Sequence, residues 1–340
     1  MKVYYSETHR KHEPPFEVFD GGLRTPYLEN PDRMDRILKA LDNTDWAEVI
    51  APTDFRLDPI YAVHDEDYIH FLASSWTEWV DSKPKDPSTL LPATFALRRH
   101  PQKPASLLGR AGYYMMDLSA CIVDGTYQAA LASANCALAG AQVITNGERT
   151  SFALCRPPGH HAGKDYAGGY CFINNASVAA NWLSSKGKVA LLDMDYHCGN
   201  GTQDIFYERE DVLTISIHAD PNFEYPHFIG FADERGEGKG LGFHHNFPLP
   251  AGTDDAAYLV ALERALRLIH EYEPAYLVVS AGMDIYADDP LGTIKVTTDG
   301  IAEIGKRVAA LELPTVIVME GGYNNDALGR NIVAFLGEFK

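Results

Sequence analysis

The sequence is short of basic charge, of cysteine pairs and of long apolar runs, and each shortage excludes a class of function. Lys and Arg number 29 against 47 Asp and Glu, for a formal charge of −18 at pH 7. A nucleic-acid backbone is held by basic patches, so that partner is excluded. An acidic balance keeps a protein soluble and also favours the capture of small cations by long-range steering. No apolar stretch is long enough to span a bilayer, so no membrane partner is expected. The opening "MKVYYSETHRKHEPPF" has no apolar signal core, which argues against export. The five cysteines (Cys121, Cys136, Cys155, Cys171 and Cys198) are odd in number and form no CxxC pair. That usage fits a reducing compartment, and a cytoplasmic location is expected. The glycine-rich "RGEGKGLG" lacks the G-x-G-x-x-G spacing and follows no strand, so no dinucleotide site is assigned there.

What is present is a repeated strand pattern. "SFALCRPPGHH", "ALLDMDYHCG", "VLTISIH", "AYLVVSAGMD" and "TVIVMEGGY" each carry a short apolar run that breaks into Gly, Pro, His, Asp or Tyr. Near-continuous apolar strands indicate burial on both faces, as in a parallel sheet. Helical patterns lie between them: "TYQAALASANCALAGAQVITNG", "NNASVAANWLSS", "DDAAYLVALERALRLIHEY", "TTDGIAEIGKRVAAL" and "NDALGRNIVAFLGEF". The Asn, Asp or Thr heading each is expected to cap it. Alternating strand and helix over this length predicts an α/β domain. Ligands in such folds bind beyond the carboxyl ends of the strands, where all five segments carry their polar residues. The least regular region is Asp81 to Arg110, with five prolines. A loop this long in a compact domain is a functional or interaction element.

The chemistry is concentrated at those strand ends. Asp193, Asp195 and His197 follow one another at every second position, and alternate residues of an extended chain share a face. Buried charges of this kind are paired or given a metal. Asp195 and His197, with Asp284 from another strand end, make three protein ligands with a position left open, the arrangement of a catalytic zinc site. For D-x-D-x-H alone, the alternative is a hydrogen-bonded cluster at a strand end. His160 and His161 lie side by side after a strand, where imidazoles serve as acid and base. A second pair, His244–His245, reads as a surface loop. Tyr323 follows two glycines that allow a sharp turn and a close approach to a ligand, and its hydroxyl can donate to a carbonyl oxygen. Asn200 is placed to orient one histidine and Asp193 the other. A two-metal site is excluded, because Gly199 and Tyr286 stand where further carboxylates would be needed.

Jointly, "RPPGHHA", "GGYCFINNA", "DMDYHCGNGTQ", "SAGMD" and "EGGY" resemble the zinc-dependent deacetylase family of the arginase/deacetylase superfamily, over nearly the whole chain. The resemblance implies a single three-layer α/β domain over residues 1–340, with an eight-stranded parallel sheet flanked by helices. It implies Zn²⁺ on Asp195, His197 and Asp284, with Fe²⁺ or Co²⁺ able to substitute. His160, His161 and Tyr323 are implied as catalytic, and Asp193, Asp195, His197 and Ser216 as a structural K⁺ site. On that reading His161 is the general base and then the acid for the leaving amine, while His160 beside Asp193 holds its proton and assists electrostatically. Within the family the chain is most similar to the acetylpolyamine amidohydrolases, which implies small cationic acetylated polyamines as substrates. The segment 81–110 resembles the insertion that narrows the entrance and builds a homodimer in that group. Glu17, in an N-terminal loop, is expected to meet a substrate ammonium, with Asp117 a second candidate. Tyr170 and Tyr225 match the aromatic pair lining the substrate tunnel. The alternatives are a protein-lysine deacetylase or a deacylase of another small N-acyl amine.

Overall fold

Among the described residues ten short strands form: β1 (Lys2–Tyr4), β2 (Glu17–Phe19), β3 (Leu23–Thr25), β4 (Glu48–Ile50), β5 (Thr150–Ala153), β6 (Val189–Asp193), β7 (Val212–Ala219), β8 (His244–Leu249), β9 (Tyr276–Ala281) and β10 (Thr315–Met319). The computed structural model describes residues 1–19, 22–96 and 102–340. Eight of these strands make one sheet in the order β4-β1-β5-β10-β9-β6-β7-β8. Every neighbouring pair in it is parallel. The other two, β2 and β3, pair antiparallel as a separate ribbon.

Burial on both faces explains the near-continuous apolar strands. Val189 and Leu191 of β6 point into one core, while Ala190 and Leu192 point into the other. The Ala-rich helix Thr126–Thr145 and the helix Asn175–Ser184 cover the first face. The helices Asp255–Tyr272, Thr298–Ala309 and Asn325–Leu336 cover the second. The result is a single three-layer α/β domain. Among the described residues no helix is long and apolar enough to cross a membrane.

Several expectations are corrected in detail. The Ala-rich helix is not capped by Thr126. Its N-cap is Gly125, left-handed at φ 82°, while the Thr126 hydroxyl accepts from the Val123 N–H at 2.8 Å. The last helix is capped by Asn324 rather than Asn325. His244 and His245 are no surface loop. They open β8, the edge strand beside β7, where both are buried. One ring nitrogen of each is paired, with Thr214 Oγ1 at 2.6 Å and the Gly242 carbonyl at 3.0 Å, while His244 Nε2 is buried without a partner. Of the 81–110 segment, residues 97–101 lie outside the described residues. The remainder joins the helix Glu66–Asp81 to the helix Leu107–Tyr114 largely without regular structure, although Leu90 bridges Ile122.

One cap reaches beyond its helix. Asn174 Oδ1 accepts from the Ser177 N–H at 2.9 Å, and its Nδ2 donates to the Ala162 carbonyl at 3.0 Å and to Thr202 Oγ1 at 3.1 Å. The side chain therefore joins this helix to the turn that carries the tandem histidines. Asn174→Ala removes the cap and leaves buried polar groups unpaired, an expected loss of about 2–3 kcal/mol in urea unfolding. A loss below about 0.5 kcal/mol would show that the link carries no weight.

Candidate active site

The central strands β10, β9 and β6 end side by side, and their carboxyl ends hold the polar cluster. Strand β6 stops at Asp193, so the alternation of Asp193, Asp195 and His197 is not that of an extended strand. Two successive side-chain turns replace it. Asp193 Oδ1 accepts from the Asp195 N–H at 3.0 Å, and Asp195 Oδ1 accepts from the His197 N–H at 2.9 Å. Short carboxylates close such turns readily. Asp284 arrives from the loop after β9, where its Oδ1 accepts from the Tyr196 N–H at 2.9 Å.

Asp195, His197 and Asp284 bring one ligand atom each to within 4.8 Å of one another. His197 Nδ1 lies 3.3 Å from Asp195 Oδ1 and 3.3 Å from Asp284 Oδ2. The electrostatics are those of an incompletely neutralised site. Burial and then repulsion from Asp195 push the Asp284 carboxyl up to about 7. Burial opposes the charge of His197, yet its hydrogen bonds and attraction to Asp195 and Asp284 raise it to about 10. Three features fit a transition metal. Asp284 Oδ2 is buried with no hydrogen-bond partner. A Cβ on Gly321 would strike Asp284 Oδ2 and Asp195 Oδ2, so only glycine leaves this space open. The nitrogen and carboxylate donors suit zinc and its neighbours.

The tandem histidines lie beside this triad with ring centroids 3.9 Å apart, and their partners differ. His160 Nδ1 meets Asp193 Oδ2 at 3.0 Å, and its Nε2 lies 3.6 Å from Asp195 Oδ1. Burial works against its charge, but Asp195 and Asp193 together raise its pKa well above the usual range. His161 Nδ1 meets Asn200 Oδ1 at 2.6 Å. That amide oxygen only accepts, so it holds the proton on Nδ1 and leaves Nε2 as the basic nitrogen. Burial, followed by His160 and His197, lowers the pKa of His161.

Tyr323 is held from two sides. Its N–H donates to Asp289 Oδ2 at 2.7 Å, and the Arg33 guanidinium lies 4.9 Å from its ring centroid. Arg33 also donates to the carbonyls of Glu320 and Gly322, at 2.6 and 2.8 Å. Glu320, quoted in "EGGY" but assigned no role from sequence, accepts from the N–H groups of Gly159 and His160 at 2.6 and 3.2 Å. Burial raises its carboxyl to about 7.

A cavity of about 780 Å³ opens onto His161, His197 and Tyr323, with Tyr170 and Tyr225 in its walls. The Tyr225 ring stands edge-on to His161 at 4.9 Å. Its hydroxyl donates to Asp117 Oδ2 at 2.7 Å, and the same oxygen accepts from the Gly169 N–H at 2.7 Å. Asp117 thus braces both walls from behind and is absent from the lining. Tyr170 is left-handed at φ 67°, and a Cβ on the preceding Gly169 would strike the His161 ring. Glu17 is not in a loop. It heads β2 with no exposed surface, and its Oε1 accepts from the Leu28 N–H at 2.9 Å. Burial raises its carboxyl to about 7, and it is likewise absent from the lining. Among the described residues the one acid in the lining is Glu224, which precedes Tyr225 in "FEYP" and to which the sequence reading gives no role. Ser216 pairs in register with Asp193 across β6 and β7, and its hydroxyl meets His218 Nδ1 at 2.7 Å.

The sequence profile of the histone deacetylase domain matches residues 27–339. Acetylpolyamine amidohydrolase 2 of Pseudomonas aeruginosa is 45% identical over 343 residues, covering 100% of this chain and 99% of that one. Acetylpolyamine amidohydrolase of Mycoplana ramosa is 41% identical, covering 99% and 98%. The crystal structure of acetylpolyamine aminohydrolase from Burkholderia pseudomallei superposes with a TM-score of 0.96 at 41% identity, covering 100% of this chain and 98% of that one.

A metal entering the triad must displace the proton that attraction to Asp195 and Asp284 holds on His197 and the one that burial and repulsion hold on Asp284. Groups with raised pKa values keep their protons over more of the pH range, so affinity falls as pH falls. From about pH 9 down to about pH 6, zinc affinity is expected to drop about tenfold per unit for each proton displaced. Calorimetry in buffers of different ionisation enthalpy measures the released protons. A heat that does not depend on the buffer would mean that the ion binds elsewhere.

Proposed function

This chain belongs to the histone deacetylase family, and we propose that within it the protein is a metal-dependent amidohydrolase that removes acetyl groups from acetylated polyamines. The products are acetate and the free amine. One observation carries the reading: His197 of the three clustered potential ligands, His161 with its free basic nitrogen and Tyr323 all line one cavity walled by Tyr170 and Tyr225. The full-length likeness to acetylpolyamine amidohydrolases supports the substrate class. The net charge of −18 favours capture of a flexible polycation.

Asp195, His197 and Asp284 would hold Zn²⁺, or Fe²⁺ or Co²⁺ in its place, which would supply Lewis acidity for the amide carbonyl and for water. The chain's own groups do the rest. Tyr323 donates its hydroxyl to the carbonyl oxygen as negative charge develops there, an interaction stronger in the transition state than in the ground state. His161 Nε2 takes a proton from the attacking water and returns it to the departing nitrogen. Asn200 keeps the tautomer that makes this transfer possible. His160, protonated against Asp193, offsets charge beside the reacting carbon. Asp193, Asp195, His197 and Ser216, with backbone carbonyls, would hold a structural K⁺, which would supply a second counter-charge. A homodimer joined through the segment 81–110 completes the proposal, and light scattering tests it.

Tyr323→Phe removes one donor to the developing oxyanion. Turnover of acetylputrescine is expected to fall about 10²–10³-fold while metal content stays at the wild-type level. Near-normal turnover would remove Tyr323 from the mechanism. Chelation should abolish activity, and added zinc should restore it. Rates on acetylputrescine, acetylcadaverine, acetylspermidine and an acetylated peptide decide the substrate class. A peptide favoured more than about tenfold would replace the polyamine reading with a protein-lysine one.

A further inference from the structure

Neither acid expected to meet the substrate lines the cavity, although Glu17 Oε2 is buried with no hydrogen-bond partner. Glu17 has no exposed surface. Asp117 accepts from Tyr225, Gly169, Ser119 and Ala120. Among the described residues that line the cavity, Glu224 alone carries a carboxylate. Its surroundings are aromatic and aliphatic, with Tyr225, Phe223 and Leu291 in the same wall.

The geometry holds this carboxylate still. Glu224 Oε2 accepts from the Tyr196 hydroxyl at 2.7 Å, and Oε1 accepts from the Tyr225 N–H at 3.0 Å. The Tyr196 hydroxyl is itself 2.8 Å from Thr293 Oγ1. Each carboxylate oxygen has two acceptor sites, so one neutral donor on each leaves capacity for a cation. Tyr196 stands between Asp195 and His197 in sequence and is fully buried. One rigid side chain therefore spans from the candidate metal loop to the acid in the wall.

Resting on the amidohydrolase reading above, we infer that Glu224 receives the free ammonium of the substrate, and that its tether to Tyr196 sets the chain length between that ammonium and the scissile amide. The aliphatic chain lies against the aromatic wall. The ammonium then forms a charge-assisted hydrogen bond to a half-buried acceptor. The inference concerns selectivity, because the carboxylate contacts a part of the substrate that does not react.

The test compares the zinc-loaded wild type with Glu224→Gln and Glu224→Asp on N-acetyldiamines of three to six carbons and on N-alkylacetamides of matching length. The wild type should prefer the cationic series. In Glu224→Gln the ratio of kcat/KM for cationic over neutral substrate should fall about 10–100-fold, mainly through KM. Glu224→Asp withdraws the carboxylate by one methylene and should move the optimum diamine one carbon longer. A Glu224→Gln ratio within about twofold of wild type overturns the inference while the amidohydrolase reading stands. Wild type indifferent to the cation overturns the polyamine reading and the inference with it. Should Glu224→Gln fail to fold, the Glu224→Asp series decides, and an unmoved optimum sinks the proposal.

Discussion

Like charges buried at adjacent strand ends are the constraint on which this architecture turns. Asp193, Asp195, Asp284 and Glu320 are each at most 1% exposed, and they follow three neighbouring strands of the central sheet. A buried carboxylate without a partner is costly enough to disrupt a fold. Each of the four is met differently. Asp193 has the His160 imidazole. Asp195 takes the N–H groups of His197 and Gly321, and Glu320 those of Gly159 and His160. Asp284 has one oxygen bonded to Tyr196 N–H and one left over. The candidate metal site is the part of this charge problem that the polypeptide does not solve with its own donors.

The same economy operates one layer further out. Glu29 Oε1 accepts from both Arg33 Nη1 and Arg156 Nε, at 2.7 and 2.9 Å, with all three side chains fully buried. Arg33 goes on to hold the carbonyls before Tyr323. Arg156 opens the segment carrying the tandem histidines, and it donates to the carbonyls of His9, His12 and Glu29. The N-terminal region is thus fastened to two loops of the candidate site more than a hundred residues away. Removing Glu29 would leave two buried cations unmatched, a loss on the order of 3–5 kcal/mol. The placing of Tyr323 therefore depends on a residue that touches no substrate.

How much of this was legible follows from what each signal measures. The core strands β5, β6, β7, β9 and β10 were readable because continuous apolar runs are rare outside a doubly covered sheet. The ligand candidates were readable because Asp and His interrupt those runs. Strands β1 and β4 are three residues each, too short for any periodicity to register. Strand β8 was misread because "HHNFPL" shows a histidine pair and a proline, while the partners that make it a strand lie on β7 and in a nearby turn. Gly125 was overlooked as a cap because Thr126 has the commoner capping side chain. Glu17 and Asp117 were chosen by resemblance and by charge, and neither criterion carries information about burial. Glu320 stands in "EGGY", three residues before Tyr323, and Glu224 immediately precedes Tyr225; in each case the tyrosine carries the readable chemistry.

These acids suggest how a binding group is told from a structural one when both are carboxylates. Asp117 accepts four hydrogen bonds from the protein, which exhausts its two oxygens and commits it to bracing the cavity wall. Asp284 and Glu224 have fewer protein donors than their oxygens can accept. Unused acceptor capacity facing an enclosed space is unfavourable in the empty protein and favourable once a cation arrives. Net charge says only that cations will approach. Free acceptor sites alone do not select a carboxylate for them: Glu17 Oε2 is unpartnered too, but Glu17 has no exposed surface and lies outside the cavity lining.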